Sequence, residues 1–138
     1  MCLLVYAAAL AQLVGAWFMR NDSVIALILA CSGALTFLLG LAFHHLTVAD
    51  MGDRLAIRFG PLPLFRRVVR YAEIDSVSVG RTLFLDGWGI HYSVRGGWVW
   101  NLWGRDCVVV QFKNRAVLRI GTDDAGNLAR FMASKIAA

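Results

Sequence analysis

Charge is almost absent from the first third of the sequence. The chain has 14 basic and 9 acidic residues, yet only Arg20 and Asp22 precede residue 50. Over the whole chain, charged residues make up 17% and apolar residues 59%, whereas typical soluble domains have about 25% and roughly 45 to 50%. This shortage of charge excludes an ordinary soluble domain and indicates two segments, each in a different solvent.

Proline and charged side chains are both missing from two apolar runs, residues 2–19 and 24–43. At ~1.5 Å rise per residue, each run forms a helix that matches a hydrocarbon core of about 30 Å. The runs therefore predict a transmembrane helical hairpin within residues 1–45. No ion path or proton relay is expected, because intramembrane ionisable groups are its usual marker. Gly33 and Gly40 lie on one helical face, where small residues let helices approach closely.

The basic residues indicate the orientation of this hairpin in the membrane. They follow the second run, beginning with Arg54 and Arg58. The positive-inside rule therefore predicts that residues 46–138 lie in the cytoplasm. Together with the two predicted spans, this indicates a multi-pass protein of the inner (cytoplasmic) membrane. A secretory signal peptide is the competing interpretation of the first run, but that run lacks a basic n-region and a small-residue cleavage site.

Cysteine is also scarce. Cys2 and Cys31 lie in the apolar runs and Cys107 in a strand pattern, so no disulfide framework is expected, in agreement with a reducing compartment. His44 and His45 form a pair at the end of the second run, which is too few ligands to argue for a metal site. We expect no cofactor.

From residue 46 the sequence pattern changes from helical to alternating. Leu55, Ile57 and Phe59 share one face of a predicted strand. The turns between the strands are short and favour antiparallel hairpins. The predicted strands are residues 46–49, 54–59, 65–71, 73–79, 88–94, 98–102, 106–112 and 115–120.

A final amphipathic helix is predicted over residues 123–136, with Thr122 as its N-cap. The sequence therefore predicts an α+β membrane protein in which a bent antiparallel sheet or barrel of about seven strands is capped by this helix. Aromatic side chains are expected to supply much of the core. They are Phe59, Tyr71, Trp88, Trp98, Trp100 and Phe112.

Several stretches of this region resemble one known family. They are Tyr71-Ala72-Glu73-Ile74-Asp75-Ser76-Val77, Gly87-Trp88-Gly89-Ile90, Gly97-Trp98-Val99-Trp100-Asn101 and Arg119-Ile120-Gly121-Thr122-Asp123-Asp124. In this order the stretches, within residues 50–136, are similar to a bacterial pleckstrin-homology-like (PH-like) family. The sequence departs from that pattern at His91 and Trp103. The resemblance implies a PH-like fold, commonly behind a pair of membrane helices, and no catalytic residues.

Two groups of side chains are candidates for binding. Anionic lipid headgroups attract basic residues near a membrane by ~1 kcal/mol each, so the first hairpin is a candidate lipid site. Its basic residues are Arg54, Arg58, Arg66, Arg67 and Arg70. A solvated strand face that only sets the topology is the alternative explanation. The second group, a candidate partner surface, is Trp98, Trp100 and Trp103, for which aromatic packing inside the sheet is the alternative.

Enzyme motifs are absent from the sequence. It has no phosphate-binding glycine loop with Lys-Ser/Thr, no His-Glu-x-x-His and no Gly-x-Ser-x-Gly. A thiol enzyme using Cys107 and His91 is the alternative from another class. The hypothesis from the sequence is a non-enzymatic, membrane-anchored binding or assembly module. Its expected partners are the bilayer, anionic headgroups and a protein or a second copy, with no nucleic acid.

Overall fold

The computed structural model describes residues 2–61, 64–86, 89–102 and 104–137. Within them, the chain forms two N-terminal helices, eight strands in two sheets and one C-terminal helix, so the α+β class is confirmed. The chain divides into two compact units. The helical unit comprises residues up to 45 together with Phe59–Phe65, and the sheet unit comprises Leu46–Arg58 and residues 66 onward.

The two N-terminal helices pack through small residues. Helix α1 is Cys2–Phe18 and helix α2 is Ser23–Ala42, each within one residue of the predicted bounds. A Cβ atom at Gly40 would lie 2.9 Å from the Tyr6 ring, and one at Gly33 would lie 3.0 Å from Leu13. The predicted close approach at Gly33 and Gly40 is therefore confirmed.

Helix α2 is the one helix in the described part of the chain that is long and apolar enough to cross a membrane. Its large side chains remain exposed, including Leu27, Ile28 and Leu35, unlike those of a helix in a soluble core. Helix α1 is apolar but shorter, and a signal sequence would also give an apolar helix near the N-terminus. Two membrane spans therefore remain an expectation, and one candidate span is observed.

The first sheet has the order β1-β2-β3, in which β1 is Leu46–Asp50, β2 is Arg54–Phe59 and β3 is Arg66–Arg70. Strands β2 and β3 form the predicted antiparallel hairpin. The alternation of β2 is also confirmed, since Leu55, Ile57 and Phe59 are buried.

The second sheet is mixed rather than antiparallel throughout. Its strands β4 (Ile74–Arg81), β5 (Gly89–Tyr92), β6 (Trp98–Asn101), β7 (Asp106–Phe112) and β8 (Val117–Gly121) have the order β4-β7-β8-β6-β5. Strand β8 lies between β6 and β7 and pairs with β6 in parallel. The prediction of a hairpin between β6 and β7 is therefore wrong.

The last residue of β8 makes a close contact with the last residue of β6. A Cβ atom at Gly121 would lie 2.1 Å from the Asn101 Oδ1 atom, so only glycine leaves room for the Asn101 side chain. The buried Asn101 amide donates a hydrogen bond to the Gly104 carbonyl at 3.0 Å. This hydrogen bond ties the last residue of β6 to Gly104, two residues before β7 begins.

Helix α3 is Ala125–Ile136, and its N-cap is Asp124 rather than the predicted Thr122. The Asp124 side chain accepts a hydrogen bond from the Asn127 amide, while the Thr122 hydroxyl accepts one from the Asp124 amide. The predicted amphipathic character is confirmed, because Ala125, Ala129 and Met132 are buried on one face while Gly126, Arg130 and Ala133 are exposed.

The core of the sheet unit is more aliphatic than the sequence predicted. Tyr71, Trp100 and Phe112 are buried as expected, whereas Trp98 is 45% exposed, and Trp88 lies outside the described residues. Trp98 faces outward near the end of its sheet, beside the edge strand β5. Aliphatic side chains fill the centre, namely Leu55, Ile57, Val69, Val99, Val108, Val110, Leu118 and Ile120.

Asp50 joins the end of β1 to the C-terminal helix. Its Oδ1 atom accepts a hydrogen bond from the Tyr71 hydroxyl at 2.9 Å, and its Oδ2 atom lies 2.9 Å from Lys135 Nζ. The hydrogen bond from Lys135, followed by those from Tyr71 and the Gly52 amide, outweighs desolvation and lowers the pKa of Asp50. Burial and the hydrogen bond to Asp50 raise the pKa of Tyr71.

This lowered pKa predicts a pH-dependent stability. The Asp50 carboxylate stabilises the fold above its unfolded-state pKa of about 3.9, and that contribution is lost as the pH falls through the lower folded-state pKa. We expect Asp50→Asn to lower the unfolding temperature of the full chain by a few degrees at pH 7 and by less at pH 3. Thermal unfolding in detergent tests this, with Asp75→Asn on the exposed part of β4 as the control. An equal loss at both pH values would contradict the prediction.

Candidate functional site

The arginines of the first hairpin divide between its two faces. The strand register pairs Arg54 with Arg70, Arg58 with Arg66, and Ile57 with Arg67. Cross-strand partners lie on the same face, and side chains alternate between faces along a strand. Four of the five predicted arginines, Arg54, Arg58, Arg66 and Arg70, therefore share the outer face. Arg67 lies on the opposite face.

Arg67 has a different environment from the other four. It is cross-strand to Ile57, which is fully buried, and burial lowers the pKa of the Arg67 guanidinium. Its side chain is half-buried, and covering apolar surface with the aliphatic stem is a common structural role of arginine. The outer face of the hairpin thus presents four guanidinium groups and not five.

These four differ in whether an acid neutralises them. Arg54 donates two hydrogen bonds to the Asp53 carboxylate, at 2.8 and 2.9 Å. Arg70 lies 4.0 Å from Glu73. Arg58 and Arg66 are exposed, and neither has a carboxylate within 4.0 Å among the described residues. We call Arg58 and Arg66 the arginine pair; it carries the free positive charge of the outer face, at the turn between β2 and β3.

The turn between these strands packs against the C-terminal end of α2. The Gly60 amide donates a hydrogen bond to the His45 carbonyl at 2.7 Å. The Phe43 ring packs edge-on to Phe59, with centroids 5.2 Å apart, and stacks on Phe65 at 5.3 Å. We call Phe59–Phe65 the docked turn; Leu62 and Pro63 within it lie outside the described residues.

Glycine at position 60 makes this contact sterically feasible. Its φ angle is +62°, and a Cβ atom there would lie 2.5 Å from both the Leu41 and the Ala42 carbonyl oxygens. The predicted strands 54–59 and 65–71 require a turn between them, but the sequence pattern does not predict the contact of this turn with the helix. The phenylalanines at 43, 59 and 65 were the available signal, but a sequence pattern does not report which distant aromatics meet.

The arginine pair lies directly on either side of the docked turn in the sequence. Arg58 directly precedes Phe59, and Arg66 directly follows Phe65. Consecutive Cα atoms are about 3.8 Å apart. Both members of the pair are therefore one residue from a segment that is held at the end of the candidate membrane span.

Of the tryptophans of the second candidate site, the two that the structure describes, Trp98 and Trp100, do not share the surface. Trp98 is exposed and packs edge-on to Tyr92, with ring centroids 5.9 Å apart. Trp100 is only 7% exposed, and Trp103 lies outside the described residues. The exposed aromatic surface consequently pairs Trp98 with Tyr92 rather than with Trp100.

Cys107 and His91 are not brought together. They lie on β7 and β5, which are separated by β8 and β6, or about 14 Å at ~4.8 Å per strand. Cys107 is fully buried, and burial raises the pKa of its thiol to about 11, so the nucleophilic thiolate is scarce at neutral pH. This geometry does not place His91 where it could activate the thiol.

His91 instead lies beside a buried carboxylate. Its Nε2 atom is 4.0 Å from Asp86 Oδ1. Burial alone would raise the pKa of Asp86, but hydrogen bonds from the Ser93 hydroxyl and the Leu83 amide, with the charges of His91 and Arg119, hold that pKa below its usual value. Asp86 thus ties the short helical turn Phe84–Asp86 to strand β5 and the residue that follows it.

Neither a metal cluster nor a relative adds to these observations. Among the described residues, no three His, Cys, Asp or Glu side chains are grouped so that they could hold a metal ion. Comparison with protein-family models, curated proteins and solved structures finds no match to this chain. The strongest candidate site is the outer face of the first hairpin, centred on the arginine pair.

Proposed function

We propose that this chain is a non-enzymatic, membrane-anchored module that binds anionic lipid headgroups through the first hairpin. In this proposal α1 and α2 both cross the inner membrane, and the sheet unit lies in the cytoplasm. The close packing of α1 on α2 at Gly33 and Gly40 supports a shorter α1 that spans as a partner of α2. The excess of basic residues after α2 supports the cytoplasmic side.

The arginine pair carries this proposal. Its two guanidinium groups are exposed, no carboxylate of the described residues lies within 4.0 Å of them, and they flank a turn that packs on the end of α2. Cross-strand Cβ atoms lie about 5 Å apart, so both side chains can reach one phosphate or two adjacent headgroups. Guanidinium groups suit phosphate because they donate in a planar fork.

The strength of this attraction follows from the surface potential of an anionic membrane. Each basic residue near the surface contributes about 1 kcal/mol, and each 1.4 kcal/mol is about tenfold in affinity. Two arginines therefore account for up to roughly 30-fold enrichment of anionic lipid. The attraction weakens with added salt because exposed charges are screened.

Neutralising the arginine pair tests the proposal. In the full chain reconstituted into mixed-lipid vesicles, we expect Arg58→Gln with Arg66→Gln to remove most of the enrichment of spin-labelled anionic lipid over zwitterionic lipid. Arg54→Gln with Arg70→Gln is the matched control, because it removes the same charge from the same face where Asp53 and Glu73 already offset it. Equal enrichment in the parent and the Arg58/Arg66 variant would overturn the proposal.

This proposal includes a PH-like fold for the sheet unit. The C-terminal helix at the end of an eight-strand unit supports it, whereas the parallel pairing of β6 with β8 departs from a succession of antiparallel hairpins.

A second candidate function is assembly with a protein partner. The exposed Tyr92–Trp98 pair, with the neighbouring exposed Val94, favours that function, because aromatic side chains are enriched in protein interfaces.

A further inference from the structure

We infer that the docked turn is itself a membrane-binding element, and that Leu64 and Phe65 insert at the boundary between acyl chains and headgroups. This inference rests on the proposed membrane anchoring. It adds an apolar contact to the electrostatic contact of the arginine pair. Its partner is the lipid bilayer.

The depth of the turn follows from its contact with α2. A helix of 20 residues is about 30 Å long, which matches the hydrocarbon thickness. Its last residue, Ala42, therefore lies at one boundary of the hydrocarbon. The hydrogen bond from Gly60 to His45 and the stacking of Phe65 on Phe43 hold the turn at this same end.

The chemistry of the turn suits that depth. Leu64 is 65% exposed and Phe65 is 37% exposed, and no residue of Phe59–Phe65 is charged. Leucine and phenylalanine are the apolar residues that interfacial segments bury in the headgroup and acyl boundary. In water these two side chains would expose apolar surface, whereas at the boundary they remove it from water.

The flanking charges favour lipid over another occupant. A second copy of the turn would bring its own arginine pair against this one, and like charges at close range oppose such a contact. An anionic bilayer complements both features, because long arginine side chains extend toward headgroups while Leu64 and Phe65 contact the boundary with the acyl chains. Arg58 and Arg66 stand at the two ends of the turn, as this arrangement requires.

A spin label at position 64 measures the depth directly. In full-length protein with Cys2 and Cys31 replaced by serine, a nitroxide on Leu64→Cys is compared with one on Val94→Cys, an exposed apolar position in the β5–β6 turn. In zwitterionic vesicles we expect the label at 64 to collide at least several-fold more with oxygen, which concentrates in lipid, than with a water-soluble nickel chelate. The label at 94 should show the reverse.

Two outcomes would overturn the inference. A label at 64 that is as accessible to the nickel chelate as the label at 94 lies in water. A label shielded from both reagents is buried against protein, as in a second copy or a bound peptide. A second label at the exposed Pro61 repeats the measurement if Leu64→Cys does not fold.

This test is independent of the test of the proposed function. The depth is measured without anionic lipid, so it does not depend on the arginine pair. A lipid-exposed label together with no enrichment of anionic lipid would sink headgroup binding and leave insertion standing. Enrichment of anionic lipid together with a water-exposed label at position 64 would overturn insertion and leave headgroup binding standing.

Discussion

Gly121→Ala is expected to lower the unfolding temperature of the sheet unit by about 10 °C or more. The added methyl group would lie 2.1 Å from Asn101 Oδ1 and 3.0 Å from Asn101 Cα. Asn101 is only 1% exposed, so its side chain cannot turn outward without strain. Overpacking costs about 1–3 kcal/mol, and displacing the buried amide from the Gly104 carbonyl costs about 1–3 kcal/mol more. Near-ultraviolet circular dichroism of the tryptophans on heating measures the shift.

Gly126→Ala is the matched control for this substitution. A Cβ atom at Gly126 meets nothing within 4 Å, and alanine is favoured over glycine within a helix. We therefore expect this variant to be unchanged or more stable. Combining Gly121→Ala with Asn101→Ala should cost less than the sum of the single changes, because both act on one contact. A Gly121→Ala protein that unfolds within about 2 °C of the parent would contradict the described packing of β6 beside β8.

Gly60→Ala is expected to release the docked turn from α2. A methyl group there would lie 2.5 Å from two carbonyl oxygens, at a φ angle of +62°. The left-handed backbone alone costs about 1–2 kcal/mol for a residue with a Cβ, and the overlap adds to this cost. Amide exchange in residues 59–65 should become at least about tenfold faster. Hydrogen–deuterium exchange of the reconstituted full chain, followed by mass spectrometry, measures this rate.

Gly52→Ala separates backbone strain from steric overlap. Gly52 also has a positive φ angle, +88°, but a Cβ atom there meets nothing within 4 Å. This variant should leave exchange in the docked turn at the parental rate. If Gly60→Ala also leaves amide exchange in the docked turn at the parental rate, the contact of Gly60 with the end of α2 does not hold the turn.

The elements of the fold could be predicted from sequence because their signals are local. The alternation of Leu55 and Ile57 marks a strand with one buried face, and both side chains are buried as predicted. The helices α1 and α2 follow from runs without charge, and their bounds agree to within one residue. In each case the pattern that marks the element is contained within the element.

The pairing of β6 with β8 instead of β7 could not be predicted, because a short connection fits two arrangements. The four residues 102–105 between β6 and β7 suit a hairpin. They can also extend about 13 Å, which exceeds the ~9.6 Å that separates strands on either side of a third. The sequence of the connection does not distinguish a hairpin from a connection past a third strand. The contact of Asn101 with Gly121, which accompanies the connection past a third strand, joins residues far apart in the sequence.

The candidate site was predictable in part. The alternation within Arg66-Arg67-Val68 already requires Arg66 and Arg67 to face opposite sides of a strand, so Arg67 could have been separated from the group. The distinction between Arg54 and Arg58 depends on the side-chain geometry of Asp53. The contact of Gly60 with His45 joins residues from separate elements, and no pattern in either element indicates it.

Strand β8 is the last of the eight to be synthesised, yet it lies inside its sheet. Between the end of α2 at residue 42 and the end of β8 at residue 121, a ribosome needs about 4–16 s at ~5–20 residues per second. During this interval β6 and β7 lack the strand that joins them, and their open edges can pair with other chains. A membrane anchor would hold this incomplete sheet at the bilayer surface, and a chain that stopped before residue 117 would have no strand to close it.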